Sequence, residues 1–279
     1  MILGAHVRRR HTGIEGAIEE AALRGADCIQ IFISNPRAWA PPHYDDPQIE
    51  RFREGLSASG LTPCVAHLSY VGNVASWDPT TLRRTRELVI ATVHACDALG
   101  VHLLVVHAGA GGPQARETAR ATAAESFRLA VDESEHVRIL VELMAGTSGA
   151  VASVPTDAEE LFAAVADDRL GLCLDTAHLF AAGVPLDVAD GVQGLADELR
   201  GRGLAERLAL VHANDSAFER GARRDRHADI SDGLIGEDGW RALANDPVVA
   251  SVPWVLETPG DADRQRTDIT YLRGLAAHD

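Results

Sequence analysis

The chain has 279 residues, with 41 acidic and 26 basic side chains and a formal charge of −15. Every basic residue is arginine, so no side-chain amine exists for a Schiff base or for the lysine of a phosphate-binding loop. The acidic balance argues against wrapping nucleic acid by bulk electrostatics alone, and the length suits one large barrel or two ordinary domains.

Short blocks rich in Val, Ile and Leu recur along the chain and predict strands at 2–7, 28–33, 62–67, 102–107, 138–142, 170–175, 208–213 and 253–257. Such blocks suit strands covered on both faces, as in a parallel sheet. Between them lie segments of helical composition, at 13–24, 47–59, 79–99, 115–135, 157–167, 187–202, 237–244 and 264–276. Asp78-Pro79 and Pro155-Thr156-Asp157 are helix-start signals, and Gly25, Gly60 and Gly100 are stop signals. Strict alternation of eight strands with eight helices predicts an α/β fold, a (β/α)8 TIM barrel, in a single domain spanning 1–279. An open doubly wound sheet is the alternative, but no GxGxxG follows the first strand. The longer loops, 34–46, 68–78, 108–114 and 214–236, all follow strands, which in a barrel gathers them on one face.

No apolar run approaches the roughly 18 residues of a membrane span. The start, Met1 to His6, enters a strand-like run without the basic segment and long apolar stretch of a signal peptide. Cys28, Cys64, Cys96 and Cys173 are widely spaced, with no CxxC, and read as buried reduced thiols. Together these features predict a cytoplasmic protein without a membrane partner.

Ligand-type residues collect at the predicted strand ends. His67, His107, Glu142, Asp175, His212 and Glu257 terminate six consecutive strands, His178 follows Asp175 by three, and Asp225-Arg226-His227 lies in the long loop after the seventh. A single such residue is readily explained as a hydrogen-bonded histidine or a helix cap. Six in succession are not, because buried imidazoles and carboxylates are costly unless paired or metal-bound. Five histidines and four carboxylates exceed what one or two metals take, so three metals with one bridging carboxylate fit better. Nitrogen and oxygen donors without thiolate favour Zn2+, with Mn2+ or Fe as substitutes. Three clustered dications suit hydrolysis of a phosphodiester.

At this point the chain resembles the endonuclease IV family of apurinic/apyrimidinic (AP) endonucleases. The resemblance lies in Leu174-Asp175-Thr176-Ala177-His178, His212-Ala213-Asn214-Asp215-Ser216, Asp225-Arg226-His227 and Leu256-Glu257-Thr258-Pro259, with Gly4-Ala5-His6-Val7 and Gln30-Ile31-Phe32 to Trp39. It covers the chain from residue 3 to about 273. It implies three Zn2+ ions: the first on His67, His107 and Glu142; the second on Glu142, Asp175, His212 and Glu257; the third on His178, Asp225 and His227. It implies base-excision repair of duplex DNA by hydrolysis 5′ to an abasic site, leaving a 3′-hydroxyl and a 5′-deoxyribose phosphate. Hydroxide would be the nucleophile, Glu142 the catalytic proton acceptor, and the protein a monomer. Arg37 and Tyr70 match residues that enter the duplex, Val71 stands where a Leu is usual, and Arg226, with Arg220, Arg223, Arg224 and the Arg8-Arg9-Arg10 run, faces phosphate. Trp39 reads as packing.

The departures are Leu143-Met144 in place of a polar Asn-Thr pair, Ala108 after His107, and Leu68-Ser69 before Tyr70. Loss of the polar pair leaves open a barrel that binds DNA or a partner without turnover. A metal-dependent sugar isomerase or epimerase on a related barrel is the other alternative, since fold alone does not fix function.

Overall fold

The computed structural model describes residues 1–7 and 13–276, so the Arg8-Arg9-Arg10 run lies outside the described residues. Eight strands close a parallel barrel: β1 (Leu3–Val7), β2 (Cys28–Ile31), β3 (Cys64–His67), β4 (Leu103–His107), β5 (Arg138–Glu142), β6 (Gly171–Asp175), β7 (Leu208–His212) and β10 (Trp254–Leu256). The order around it is β1-β10-β7-β6-β5-β4-β3-β2, the TIM-barrel arrangement the sequence predicts. The outer helices are α1 (Gly16–Leu23), α2 (Asp46–Ser59), α3 (Pro79–Leu99), α4 (Arg116–Asp132), α5 (Pro155–Val165), α7 (Ala189–Gly201), α8 (Gly236–Asn245) and α9 (Ala262–Leu275). Among the described residues no helix is long and apolar enough to cross a membrane.

Local chemistry sets these boundaries. At α3 the Asp78 carboxylate accepts the Thr81 N–H, Pro79 occupies the first turn, and Gly100 closes the helix at φ 71°. An uncapped helix start leaves backbone donors without an intrahelical partner, and only glycine takes a left-handed closing turn without steric cost. β3 starts at Cys64 rather than 62 because Pro63 has no N–H to donate. β10 ends at Leu256, one residue short of Glu257, because the Glu257 N–H leaves the ladder for the Asn214 side chain at 2.8 Å.

Two elements were not legible as such. The short helix α6 (Thr176–Ala182) begins directly at the end of β6, with Asp175 as its cap. The antiparallel ribbon of β8 (Asp215–Ser216) and β9 (His227–Ala228) folds the long seventh loop back on itself. Its anchor is the buried Asp215 carboxylate, which accepts from Trp240 Nε1 at 2.9 Å, Ile235 N at 3.0 Å and Ser231 N at 3.2 Å.

Side chains alternate in and out along each strand, and this period positions the site. Cys28, Val65, Val105, Leu140, Cys173, Leu210 and Val255 form one buried interior layer. On β1 the corresponding position is Gly4, where a Cβ would lie 2.1 Å from the Cys28 carbonyl oxygen. Two residues further along every strand comes the next inward position: His6, Gln30, His67, His107, Glu142, Asp175, His212 and Glu257. An apolar floor thus carries a polar ceiling. Outside the barrel, arginines tie neighbouring helices together: Arg86 (α3) to Glu125 (α4) at 2.9 Å, Arg120 (α4) to Glu160 (α5), and Arg202, which caps the end of α7, to Glu159 (α5).

Candidate metal centre

All nine residues singled out as ligands converge on the C-terminal mouth of the barrel. Their donor atoms fall into three groups, each mutually within 4.8 Å: His67, His107 and Glu142; Glu142, Asp175, His212 and Glu257; Asp175, His178 and His227. The first two match the partition the resemblance implies. In the third, Asp175 stands where Asp225 is expected, although Asp225 lies beside both rings, 3.3 Å from His178 Nε2 and 3.4 Å from His227 Nε2. Six donors come from the barrel wall, His178 from the first turn of α6, and Asp225 and His227 from the ribbon.

Glu142 is the hub. Its Oε2 lies 3.2 Å from both His67 Nε2 and His107 Nε2, and its Oε1 lies 3.1 Å from His212 Nδ1. Burial opposes its ionisation, but His107 and His212 hold it well below the usual carboxylate range. The same balance applies to Glu257, where burial is outweighed by His212 and His6. Conversely, burial opposes a charge on His178, yet Asp175, Asp225 and Glu142 raise it to about 10. Against burial, the Glu257 and Glu142 carboxylates carry His212 well above its ordinary value. Burial pushes the Cys173 thiol up to about 12, so it remains a neutral floor residue rather than a thiolate donor.

Backbone carbonyls orient the rings. A carbonyl only accepts, so the Nδ1 atoms of His67 and His178 carry protons that they donate to Leu68 O at 2.7 Å and Leu143 O at 2.8 Å. Their Nε2 atoms therefore turn toward the carboxylates. His178 Nε2 and His227 Nε2 are buried without a hydrogen-bond partner. In the neutral ring each presents a lone pair to carboxylate oxygens, acceptor against acceptor. Such an arrangement requires a proton or a cation between the groups, and the donor set is that of a divalent metal. The residues fit the implied ions.

The structure places the three departures from the family pattern. At Leu143-Met144, the Leu143 carbonyl holds His178, while its side chain is buried in the core. Ala108 donates its N–H to Glu142 O at 3.0 Å, which a proline could not do. Ser69 Oγ donates to Asn35 O at 3.0 Å and pairs with Ser34 Oγ at 2.8 Å, so side-chain hydrogen bonds stitch together the loops carrying Arg37 and Tyr70.

The rim residues are placed as follows. Tyr70, 56% exposed, has its ring centroid 5.6 Å from His67 and 6.2 Å from His107. Arg37 and Arg226 are exposed, and Val71 is partly buried against the core. Arg220 is committed to Asp187 at 2.9 Å and leaves the expected phosphate-facing cluster, while the Arg224 guanidinium lies 4.0 Å above Phe218. Trp39 packs as expected, under the Arg84 guanidinium at 4.4 Å. Sequence reasoning missed His6, Gln30 and Asn214 as site residues. Asn214 donates to Asp175 Oδ2 at 2.7 Å and accepts from Glu257 N at 2.8 Å, fixing two donors at once. The alternating register that exposes the ligands also points to His6 and Gln30.

A closed barrel whose upper interior layer is a histidine–carboxylate centre defines a class of metal-dependent enzymes. The sequence matches the family model described as a xylose isomerase-like TIM barrel over residues 18–275. It is 36% identical to the "Probable endonuclease 4" of Streptomyces coelicolor over 95% of this chain and 93% of that protein. The crystal structure of endonuclease IV from Thermus thermophilus superposes with a TM-score of 0.86 at 32% identity, covering 99% of this chain and 98% of the other. D-Psicose 3-epimerase from Clostridium cellulolyticum shares the fold, with a TM-score of 0.72 at 15% identity over 99% and 100% of the two chains. The chain belongs to the endonuclease IV family and is a hydrolase of the AP endonuclease type.

Proposed function

We propose that the centre holds three divalent ions, Zn2+ with Mn2+ as an alternative, and that the protein cleaves duplex DNA 5′ to an abasic site, leaving a 3′-hydroxyl and a 5′-deoxyribose phosphate. The observation that carries this reading is the division of Glu142 between two groups, one oxygen toward His67 and His107 and the other toward His212. That division would let Glu142 serve two ions at once. His67, His107 and Glu142 would hold one ion; Glu142, Asp175, His212 and Glu257 a second; His178, His227 and Asp225, with Asp175 beside them, a third. When bound, such ions lower the pKa of a water and neutralise charge building on a phosphodiester.

The chain's own residues supply placement. Glu142 and Glu257, kept ionised by the surrounding imidazoles, keep the ligand set anionic at neutral pH. In this reading Glu142 is also positioned to accept a proton from the attacking water. Tyr70 presents its ring at the mouth above His67 and His107, where it would fill the gap left by an extruded nucleotide. Arg37 enters the duplex from the loop fastened to that of Tyr70, Val71 supports the wedge from the core side, and Arg226 meets backbone phosphate. The protein acts as a cytoplasmic monomer in this reading.

The test is incision of a duplex carrying one tetrahydrofuran abasic analogue, with Zn2+ or Mn2+ supplied after removal of bound metal. Cleavage on the 5′ side of the lesion is expected. An intact strand under both metals would refute the assignment. Metal analysis separates it from an epimerase, for which one or two ions suffice.

A further inference from the structure

We propose that Gln30 is a positioning residue whose amide transmits the charge of Glu257 to His212 and so decides which nitrogen of His212 faces the metal centre. The inference rests on the three-ion reading above and extends it to a residue that is not itself a ligand. Gln30 is fully buried on β2, two residues beyond the floor residue Cys28. Its Nε2 lies 2.7 Å from Glu257 Oε1 and its Oε1 lies 2.9 Å from His212 Nε2.

Each link follows from which atoms can donate. An ionised carboxylate only accepts, so the amide must turn its NH2 toward Glu257. That leaves the amide carbonyl facing His212. A carbonyl also only accepts, so His212 Nε2 carries a proton. In the neutral ring the lone pair is then on Nδ1, the atom 3.1 Å from Glu142 Oε1 and 3.3 Å from Glu257 Oε2. The opposite tautomer would aim a lone pair at the Gln30 carbonyl and turn an N–H into the centre.

The same network divides the labour of Glu257. Oε1 accepts from Gln30 Nε2 and from His6 Nδ1, the latter at 2.6 Å. Oε2 is left for the centre. The 3.0 Å approach of Gln30 Nε2 to His6 Nδ1 is then two donors converging on one oxygen rather than a bond between them. Because the amide is buried with both ends engaged, neither water nor a rotated side chain offers His212 an equivalent acceptor.

The experiment uses the full chain, stripped by a chelator and reloaded with Zn2+ alone. Gln30→Met keeps the length of the side chain and removes both hydrogen bonds; Gln30→Glu keeps an acceptor for His212. Equilibrium dialysis with metal analysis reads the ions, and long-range 1H–15N NMR of the zinc-loaded protein reads the His212 tautomer. The wild type is expected to show Nε2–H on His212. Gln30→Met is expected to lose that signature and to bind one of three ions about 10- to 100-fold more weakly, the scale for groups that orient a ligand, while the other two ions fill as before. Gln30→Glu is expected to retain Nε2–H. Wild-type affinity for all ions in Gln30→Met, or an Nδ1–H His212 in Gln30→Glu, overturns the role of Gln30; the second result stands even where Gln30→Met does not fold. A wild type that binds no zinc tightly overturns the metal-centre reading beneath it.

Discussion

The centre is assembled from two kinds of support. Glu142, Asp175 and His212 rise from the barrel wall with no exposed surface, each two residues beyond an apolar floor residue in the same strand. Asp225 and His227 sit on the ribbon of the seventh loop, where the Asp225 side chain is 51% exposed and His227 Nδ1 reaches the Glu257 carbonyl only at 3.5 Å. Wall donors are placed by close packing, which tolerates little displacement. Loop donors are placed by a handful of hydrogen bonds around Asp215. The wall is therefore a fixed template, and the ribbon is the part of the site whose geometry a ligand can still complete.

Variants on each side sharpen this contrast. The largest effect is expected at the wall: Glu142→Gln should lower incision of the tetrahydrofuran duplex by about a hundred- to a thousandfold, the scale of a lost transition-state stabiliser, with the circular dichroism spectrum unchanged. Retained activity would remove Glu142 from the chemistry. On the ribbon, Asp225→Asn should weaken one ion by about 10- to 100-fold and leave the other two at wild-type affinity in equilibrium dialysis. Simultaneous loss of all three would mean that the ribbon and the wall form one unit. At the rim, Tyr70→Ala removes a stacking surface worth about 1–3 kcal/mol, so the Kd for damaged duplex should rise about 5- to 150-fold with little change in metal content. Equal weakening toward undamaged duplex would deny Tyr70 its wedge role. Arg226→Ala should have a small effect, lowering the slope of log affinity against log salt by about one.

A graded signal distinguishes metal-free from metal-loaded protein. His178 is raised from 6.5 to about 10, so its contribution to folding is fully present below pH 6.5 and is lost as pH rises toward 10. Glu142 and Glu257 are depressed below 4.5, so theirs is present above pH 4.5 and lost on acidification through their lowered values. The metal-free protein should therefore have its highest unfolding midpoint between about pH 4.5 and 6.5. A bound divalent ion would replace protons as the cation between acceptors, so the loaded protein should hold its midpoint above that window. A metal-free midpoint that climbs from pH 7 to 9 would contradict the proposed balance.

Most of the fold could be read because barrel strands buried on both faces stand out as apolar blocks, and because inward alternation puts chemistry at their ends. The converging histidines and acids were legible for the same reason: a histidine or acid closing Val-Ala, Leu-Val-Val or Leu-Val runs has no apolar explanation. What stayed hidden was long-range or carried by the backbone. The ribbon pairs residues eleven or more apart through two-residue strands, too short to leave a period. The role of Leu143 is carried by its backbone carbonyl, which accepts from His178, and its apolar side chain gives no sign of it. Gln30 and His6 occupied the right register but not a familiar ligand role, and only the distances reveal their hold on Glu257. Arg220 reads as a free cation until Asp187, from a different loop, comes beside it.

The arginines that bridge the outer helices also bear on how the enzyme finds its target. Arg86, Arg120 and Arg202 are committed to acidic neighbours on the barrel's flank, so that surface, in a chain of charge −15, offers a passing duplex little to hold. At the mouth, Arg37 and Arg226 are exposed. A sideways collision with DNA should end in rapid release, while one that arrives mouth-first can dwell. The search for damage is then expected to proceed by many short, oriented landings rather than by extended sliding along undamaged duplex.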